Sequence, residues 1–190
     1  MDCSPENPPA ATEIQQEIAL LYAREAAGVL RYACALARDR ETAHDALQEA
    51  FFRYFLCRSA GQGVRSPKAW LFRVAHNYVL DQMNAVRRNS VGIEHLDNLP
   101  GPAHEWRTGV SGLLDGLPEI GLSERELECV LLRAEDFRYE EIAGMLGIQA
   151  GTVGALLTRA HAKIRKAVND RELQRHRFSP ELMAEKGYAS

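Results

Sequence analysis

The sequence predicts an all-α protein made of two small helical domains joined by a flexible linker, the second built around a helix-turn-helix. Three observations carry this. Apolar residues recur at spacings of three and four along almost the whole chain, and no segment alternates as a strand. Glycine, proline and acidic residues crowd into residues 89–115, between two regularly patterned blocks. Ala143, Gly147 and Val153 stand four and then six residues apart, as a small residue, a turn and an inward aliphatic must where two helices cross closely. The 190 residues suffice for one domain or two small ones; 46% apolar residues supply a core, and 26% charged residues is ordinary.

Residues 1–13 (MDCSPENPPAATE) lack the basic stretch and apolar centre of a signal peptide and read as a disordered extension. The first domain is expected over residues 14–88. Residues 14–39 read as one long or broken helix with Ile18, Leu21, Leu30, Ala33 and Ala37 inward. Residues 42–57 read as a second helix, with Leu47, Ala50, Phe51, Tyr54 and Phe55 as a core stripe and Asp45, Gln48 and Glu49 together on another face. Two acids and an amide so placed suit a basic protein surface and repel phosphate. Residues 58–65 (RSAGQGVR) form a loop by their glycine and serine content. Ser66 then caps a third helix with Pro67 at its first position, where a missing N–H costs nothing. That helix carries a polar stripe, Arg73, Asn77, Asp81, Asn84 and Arg88, beside Arg87. Asparagine can read base edges and arginine can hold phosphate. Trp70 is expected in the core.

After the acidic linker, with Glu94, Asp97 and Glu105, the second domain is expected over residues 116–168. Ser123 and Glu126 match a capping box, and helices are expected over 124–134, 139–146 and 150–168. Ile142, Leu146, Leu157 and Ile164 complete the inward set, with Gly147 in the turn. The helix that should enter a groove offers Gln149, Thr152, Ala155, Thr158, Arg159 and Lys163, and has only Gly154, Ala155 and Leu156 where readers of base edges are expected. Further along, Arg159, Lys163, Arg165, Lys166, Arg171, Arg175 and Arg177 oppose only Asp170 and Glu172, a balance that suits phosphate. Residues 169–190 read as a loosely held polar tail.

Other classes find little support. No apolar run approaches the roughly 18 residues of a membrane span. Cys3, Cys34, Cys57 and Cys129 are scattered, without metal spacing, and are expected as free thiols in a reducing cytoplasm, Cys34 and Cys129 filling helix faces. No phosphate loop or nucleophile elbow is present, and adjacent His44 and Asp45 point apart on a helix. His76 with Asp81 is the remaining imaginable acid/base pair. Neither a catalytic residue, a metal nor a cofactor is expected.

The series Asp45-x-x-Gln48-Glu49-x-Phe51, Trp70-Leu71-x-x-x-Ala75-x-Asn77-x-x-x-Asp81, Leu117-Pro118, then Gly151-Thr152-Val153 and Arg159-Ala160 resembles bacterial sigma factors. It is most similar to the extracytoplasmic-function group, which keeps only the second and fourth sigma regions. The resemblance spans residues 14–168. It implies that Asp45, Gln48 and Glu49 grip the β′ clamp helices of core RNA polymerase. It gives the loop, with Arg58 and Arg65, and the stripe Arg73, Asn77, Asp81, Asn84, Arg87 and Arg88 to the minus-ten element and its melting. It places the second domain on the β flap and the minus-thirty-five element, threads the acidic linker toward the RNA path, and implies promoter DNA and an anti-sigma factor as partners, in the cytoplasm at the nucleoid. The family often has a basic residue, a serine and an arginine at positions 154–156, and an arginine at 84, so relaxed minus-thirty-five specificity is expected. Two alternatives keep the helices but differ in role. One is a decoy that sequesters an anti-sigma factor, and the other a stand-alone regulator with a LuxR-like second domain.

Overall fold

The computed structural model describes residues 11–90 and 120–177. Every regular element in them is a helix: α1 (Ala11–Ala37), α2 (Arg40–Ser59), α3 (Pro67–Ser90), α4 (Glu124–Ala134), α5 (Tyr139–Leu146) and α6 (Ala150–Arg177). Most of the N-terminal extension, residues 91–115 of the expected linker, Leu117, Pro118 and the last thirteen residues of the expected tail (178–190) lie outside the described residues, as does the side chain of Arg87; the first two expected linker residues instead end α3.

The first three helices form one group. α1 is unbroken and ends at Arg38, whose left-handed φ of 56° lets its N–H return to the Cys34 carbonyl at 2.9 Å. Asp39 immediately caps α2, accepting from the Thr42 N–H at 2.7 Å. This two-residue reversal folds α2 back along α1 and buries Leu21, Val29, Tyr32, Ala33 and Leu36 against Ala46, Leu47, Ala50 and Tyr54. α3 closes the bundle with Leu71, Phe72, Ala75 and Val79. Phe55 does not join the core stripe: it is 41% exposed. At about 100° per residue it stands roughly 80° round the helix from Leu47, too far for the same seam. Trp70 is half-buried, edge-on to Tyr54 at 5.6 Å.

In the second group the Ser123 hydroxyl accepts from the Glu126 N–H at 3.3 Å, and the Glu126 carboxylate accepts from the Ser123 N–H at 2.8 Å, completing the capping box. α4 ends in paired return bonds, Asp136 N–H to Arg133 O and Phe137 N–H to Leu132 O, with Asp136 left-handed at φ 64°. Aspartate tolerates that conformation better than most residues. Gly147 ends α5 the same way, at φ 66°, and Ile148 N–H bonds to the Ala143 carbonyl. Val153, Leu156, Leu157 and Ala160 are then buried from α6. α6 does not stop at Val168 but runs to Arg177: no glycine or proline interrupts it there, and the arginines, Glu172, Leu173 and Gln174 are good helix formers that outweigh Asn169 and Asp170.

The two groups share one core. Phe137, just before α5, packs edge-on against Phe72 of α3 with centroids 4.9 Å apart, both side chains almost fully buried. Lys68 Nζ lies 4.8 Å over the Phe137 ring and donates to the Glu135 carbonyl at 2.6 Å. The Glu135 carboxylate accepts from Arg31 Nε and Nη2 at 3.1 and 2.9 Å.

Candidate protein and nucleic-acid interfaces

Three exposed surfaces gather the residues of interest. On α2, Asp45 and Gln48 are exposed and Glu49 half-buried, its carboxylate accepting from Arg53 Nε at 2.6 Å. Phe52 and Leu56 follow Asp45 by seven and eleven residues, so the helical period carries the same face on into exposed apolar surface. Sequence patterning missed this extension, because Phe52 reads as a neighbour of the core stripe.

The loop after α2 is tied down from α1. The Glu17 carboxylate accepts from the Tyr54 hydroxyl at 2.5 Å and from Arg58 Nε at 3.1 Å. Arg58 Nη1 donates to the Gln62 carbonyl at 3.0 Å, and Gly61 supplies the left-handed turn between them at φ 72°. Burial, then the Glu17 carboxylate, pushes the Tyr54 hydroxyl well above the usual phenol range. Arg58 is therefore largely covered and holds the loop, whereas Arg65 is exposed at the loop's far end.

Along α3, Arg73, Asn77, Asp81, Asn84 and Arg88 are all exposed on one side. His76 points the other way. It is buried, its Nδ1 2.7 Å from the Tyr32 hydroxyl, so it makes no pair with exposed Asp81. Burial, then the positive charge of Arg125, lowers its pKa to about 4. Asp45 and Arg73 begin two faces of opposite character on neighbouring helices.

On the helix-turn-helix, Gln149, Thr152, Ala155, Thr158 and Arg159 are exposed, while Leu156 is buried and offers nothing to a groove. The Thr158 hydroxyl donates back to the Gly154 carbonyl at 2.9 Å. Gly154 is not required by packing, since a Cβ there would meet Tyr139 only at ordinary contact, 3.7 Å. Tyr139, 42% exposed at the start of α5, thus adds an aromatic edge beside the recognition helix that the sequence pattern did not single out. Lys163 is half-engaged inside the domain, donating to Glu126 Oε2 at 2.7 Å and to the Gly121 carbonyl at 3.0 Å. Arg159 Nε stands 3.7 Å from Glu126 Oε1. Glu126, held first by Lys163 and then by the Ser123 N–H, has its pKa lowered to about 2.

Cys129 is buried, and burial raises its thiol pKa to about 11; Cys34 and Cys57 are half-buried. Among the described residues no cluster of three or more His, Cys, Asp or Glu could hold a metal, and no single helix is long and apolar enough to cross a membrane.

Two family models match the chain, one in each group of helices. The Sigma-70 region 2 family model matches residues 21–90, and the Sigma-70, region 4 model matches residues 121–164. The ECF RNA polymerase sigma factor SigL of Mycobacterium tuberculosis is 31% identical over 158 residues, covering 79% of this chain and 88% of that protein. The RNA polymerase sigma-E factor of Streptomyces coelicolor is 32% identical over 146 residues, covering 76% and 82%. In fold, the chain is similar to the sigma factor RpoE from Bartonella quintana, solved in complex with the anti-sigma factor NepR. The TM-score is 0.63 at 22% identity, covering 84% of this chain and 98% of that one. CnrH, solved with the cytosolic domain of CnrY, gives a TM-score of 0.56 at 20% identity, covering 82% and 90%.

Proposed function

The chain belongs to the extracytoplasmic-function group of the sigma-70 family, and on that premise we propose how its surfaces divide the work. It is a sigma factor, which binds core RNA polymerase and directs promoter recognition and transcription initiation. The observation that carries the division is the separation of charge on the first group of helices: an acidic and amide face on α2, and a separate arginine and asparagine stripe on α3.

Asp45, Gln48 and Glu49 meet the basic clamp helices of β′, and Phe52 and Leu56 extend that contact with apolar area that the polymerase covers. Arg65, Arg73, Asn77, Asp81, Asn84, Arg87 and Arg88 engage the minus-ten element. Asparagine amides can capture an unstacked base, and the arginines flank it on phosphate. Arg58 serves this surface by fixing the loop. Gln149, Thr152, Ala155, Thr158 and Arg159 face the minus-thirty-five element, with Lys163 a lesser contributor while it is held by Glu126. Melting follows from differential binding: the stripe holds separated strands better than duplex, so the polymerase-bound equilibrium shifts toward the open form. No side chain of the factor makes or breaks a bond. Its place is the cytoplasm, with the polymerase.

A recognition helix this poor in readers is tolerable because the polymerase tethers both reading surfaces to one promoter. Effective concentration then compensates for a weak second contact. By extension from the fold neighbour solved with NepR, an anti-sigma factor is the expected inhibitory partner. The test is pull-down of core polymerase by the full chain, followed by run-off transcription on fragmented genomic DNA. Wild type is expected to capture polymerase and give discrete start sites, and Asp45→Ala/Gln48→Ala to lose at least tenfold in capture. Equal capture by the two would remove the α2 face from the interface.

A further inference from the structure

The recognition helix is nearly bare where it should meet a groove, but it does not stand alone. Tyr139, the first residue of α5, lies beside it at Gly154. A Cβ built on Gly154 would meet Tyr139 Cε2 at 3.7 Å and Cδ2 at 4.0 Å. One edge of the ring therefore flanks the helix where a side chain would otherwise rise. The approach is fixed from behind, because Ile142 and Leu146 of α5 and Val153 and Leu157 of α6 are buried in the same core. Tyr139 itself is exposed, and its hydroxyl bonds to no described residue. Around the ring the helix offers few polar groups. Gly151 and Ala155 are exposed on the side of Gly154, and the Thr158 hydroxyl is engaged with the Gly154 carbonyl.

The major groove carries one apolar group, the C5-methyl of thymine; the other groups there donate or accept hydrogen bonds. An aromatic edge beside a glycine fits the methyl and offers little to the rest. The position is also suitable. The first helix of such a pair crosses the DNA backbone while the N-terminal part of the second faces the bases, and Gly154 is the fifth residue of α6. We propose that Tyr139 is a specificity-determining residue, reading a thymine methyl in the minus-thirty-five element through the gap that Gly154 leaves. The inference rests on the assignment of α6 to that element and adds a reader to it. Gly154 then belongs to the reading surface, since a long side chain there would cover the ring. The Tyr139 hydroxyl is left for a phosphate, a contact that positions without specifying.

The test uses holoenzyme assembled from core polymerase and the full chain, on a promoter whose start site run-off transcription has located. Each thymine of the minus-thirty-five element, on either strand, is replaced in turn by uracil, which lacks only the methyl. Wild type should lose promoter affinity about three- to fivefold at one such position, as expected for one methyl group no longer buried. Tyr139→Phe, which keeps the ring, should retain that dependence. Tyr139→Ala and Gly154→Met should bind the thymine and uracil promoters equally. A merely structural role for Tyr139 would weaken both promoters alike and leave their ratio at the wild-type value. Wild type indifferent to uracil at every position, or Tyr139→Ala as sensitive as wild type, would overturn the inference while the sigma reading stands. Loss of the dependence in Tyr139→Phe would overturn the methyl contact, and its survival in Gly154→Met would overturn the role of the gap. Absence of any discrete start site with wild type would sink the sigma reading, and this inference with it.

Discussion

Gly154 shows how little a single residue's absence need mean for packing. It lies inside α6, where glycine costs about 0.5–1 kcal/mol relative to alanine because the unfolded chain has more freedom to lose. Nothing nearby forbids a side chain, since Tyr139 stays at contact distance from a built Cβ. Gly154→Ala should therefore raise the unfolding free energy by about 0.5–1 kcal/mol, measured by urea denaturation with an unchanged slope. Gly154→Arg should tighten binding to duplex carrying the minus-thirty-five element. A destabilised alanine variant would mean that the helix is strained there in a way the contacts do not reveal. The sequence offers only Gly154, Ala155 and Leu156 at the centre of this helix, and the fold takes Leu156 into the core. It could not indicate that Lys163 reaches Glu126 and Gly121, because the partners lie 37 and 42 residues apart in the chain.

At the scale of elements, the loop between α2 and α3 depends on a residue outside both helices. Glu17 on α1 joins Tyr54 and Arg58, and Arg58 passes the constraint to Gln62. Glu17→Gln should leave polymerase capture within twofold of wild type. It should slow promoter melting, read by permanganate reactivity of unpaired thymines, by threefold or more. Equal loss of capture and melting would indicate general destabilisation of the first helices instead. Helix identities and the capping box were legible in the sequence, because periodicity, serine and proline placement and glycine turns act over a few residues. The boundaries that moved have local causes: helical drift carried Phe55 out of the core, and uninterrupted helix formers carried α6 to Arg177. The tie from Glu17 had no local signature, since an acid near the start of α1 reads equally well as a solvated residue.

For the whole molecule, the contact between the two groups of helices couples them in titration as well as shape. His76 and Tyr32 lie beneath it from the first group, with Arg125 and Glu128 near from the second. His76 resists its proton when folded, down to about pH 4, and accepts it near 6.5 when unfolded. The stability it contributes is therefore full above pH 6.5 and falls away as pH drops from 6.5 to about 4. Glu126 adds its own loss only between about 4.5 and 2, and Glu128, pushed up by burial, slopes the opposite way above its ordinary value. Both carboxylates are common to wild type and His76→Gln, so the difference between the two isolates the imidazole. Thermal unfolding from pH 7.5 to 5 should lower the Tm of wild type more than that of His76→Gln. Composition predicts two helical groups and a linker, but not that the groups share an interior through Phe72 and Phe137. The glycine, proline and acid content of a linker describes the tether, while the pairing of Phe72 with Phe137 is set by surfaces that no period in either block reveals.

The grip of Glu126 on Lys163 reaches beyond the fold of the second domain. Each cation laid on a phosphate releases counterions, and that release, about 0.9 per contact, sets how steeply affinity falls with salt. A lysine already neutralised by a carboxylate at 2.7 Å has little counterion atmosphere to displace. The basic residues of α6 thus overstate the factor's ionic debt to DNA, and its attachment upstream should weaken more gently with rising salt than their number suggests.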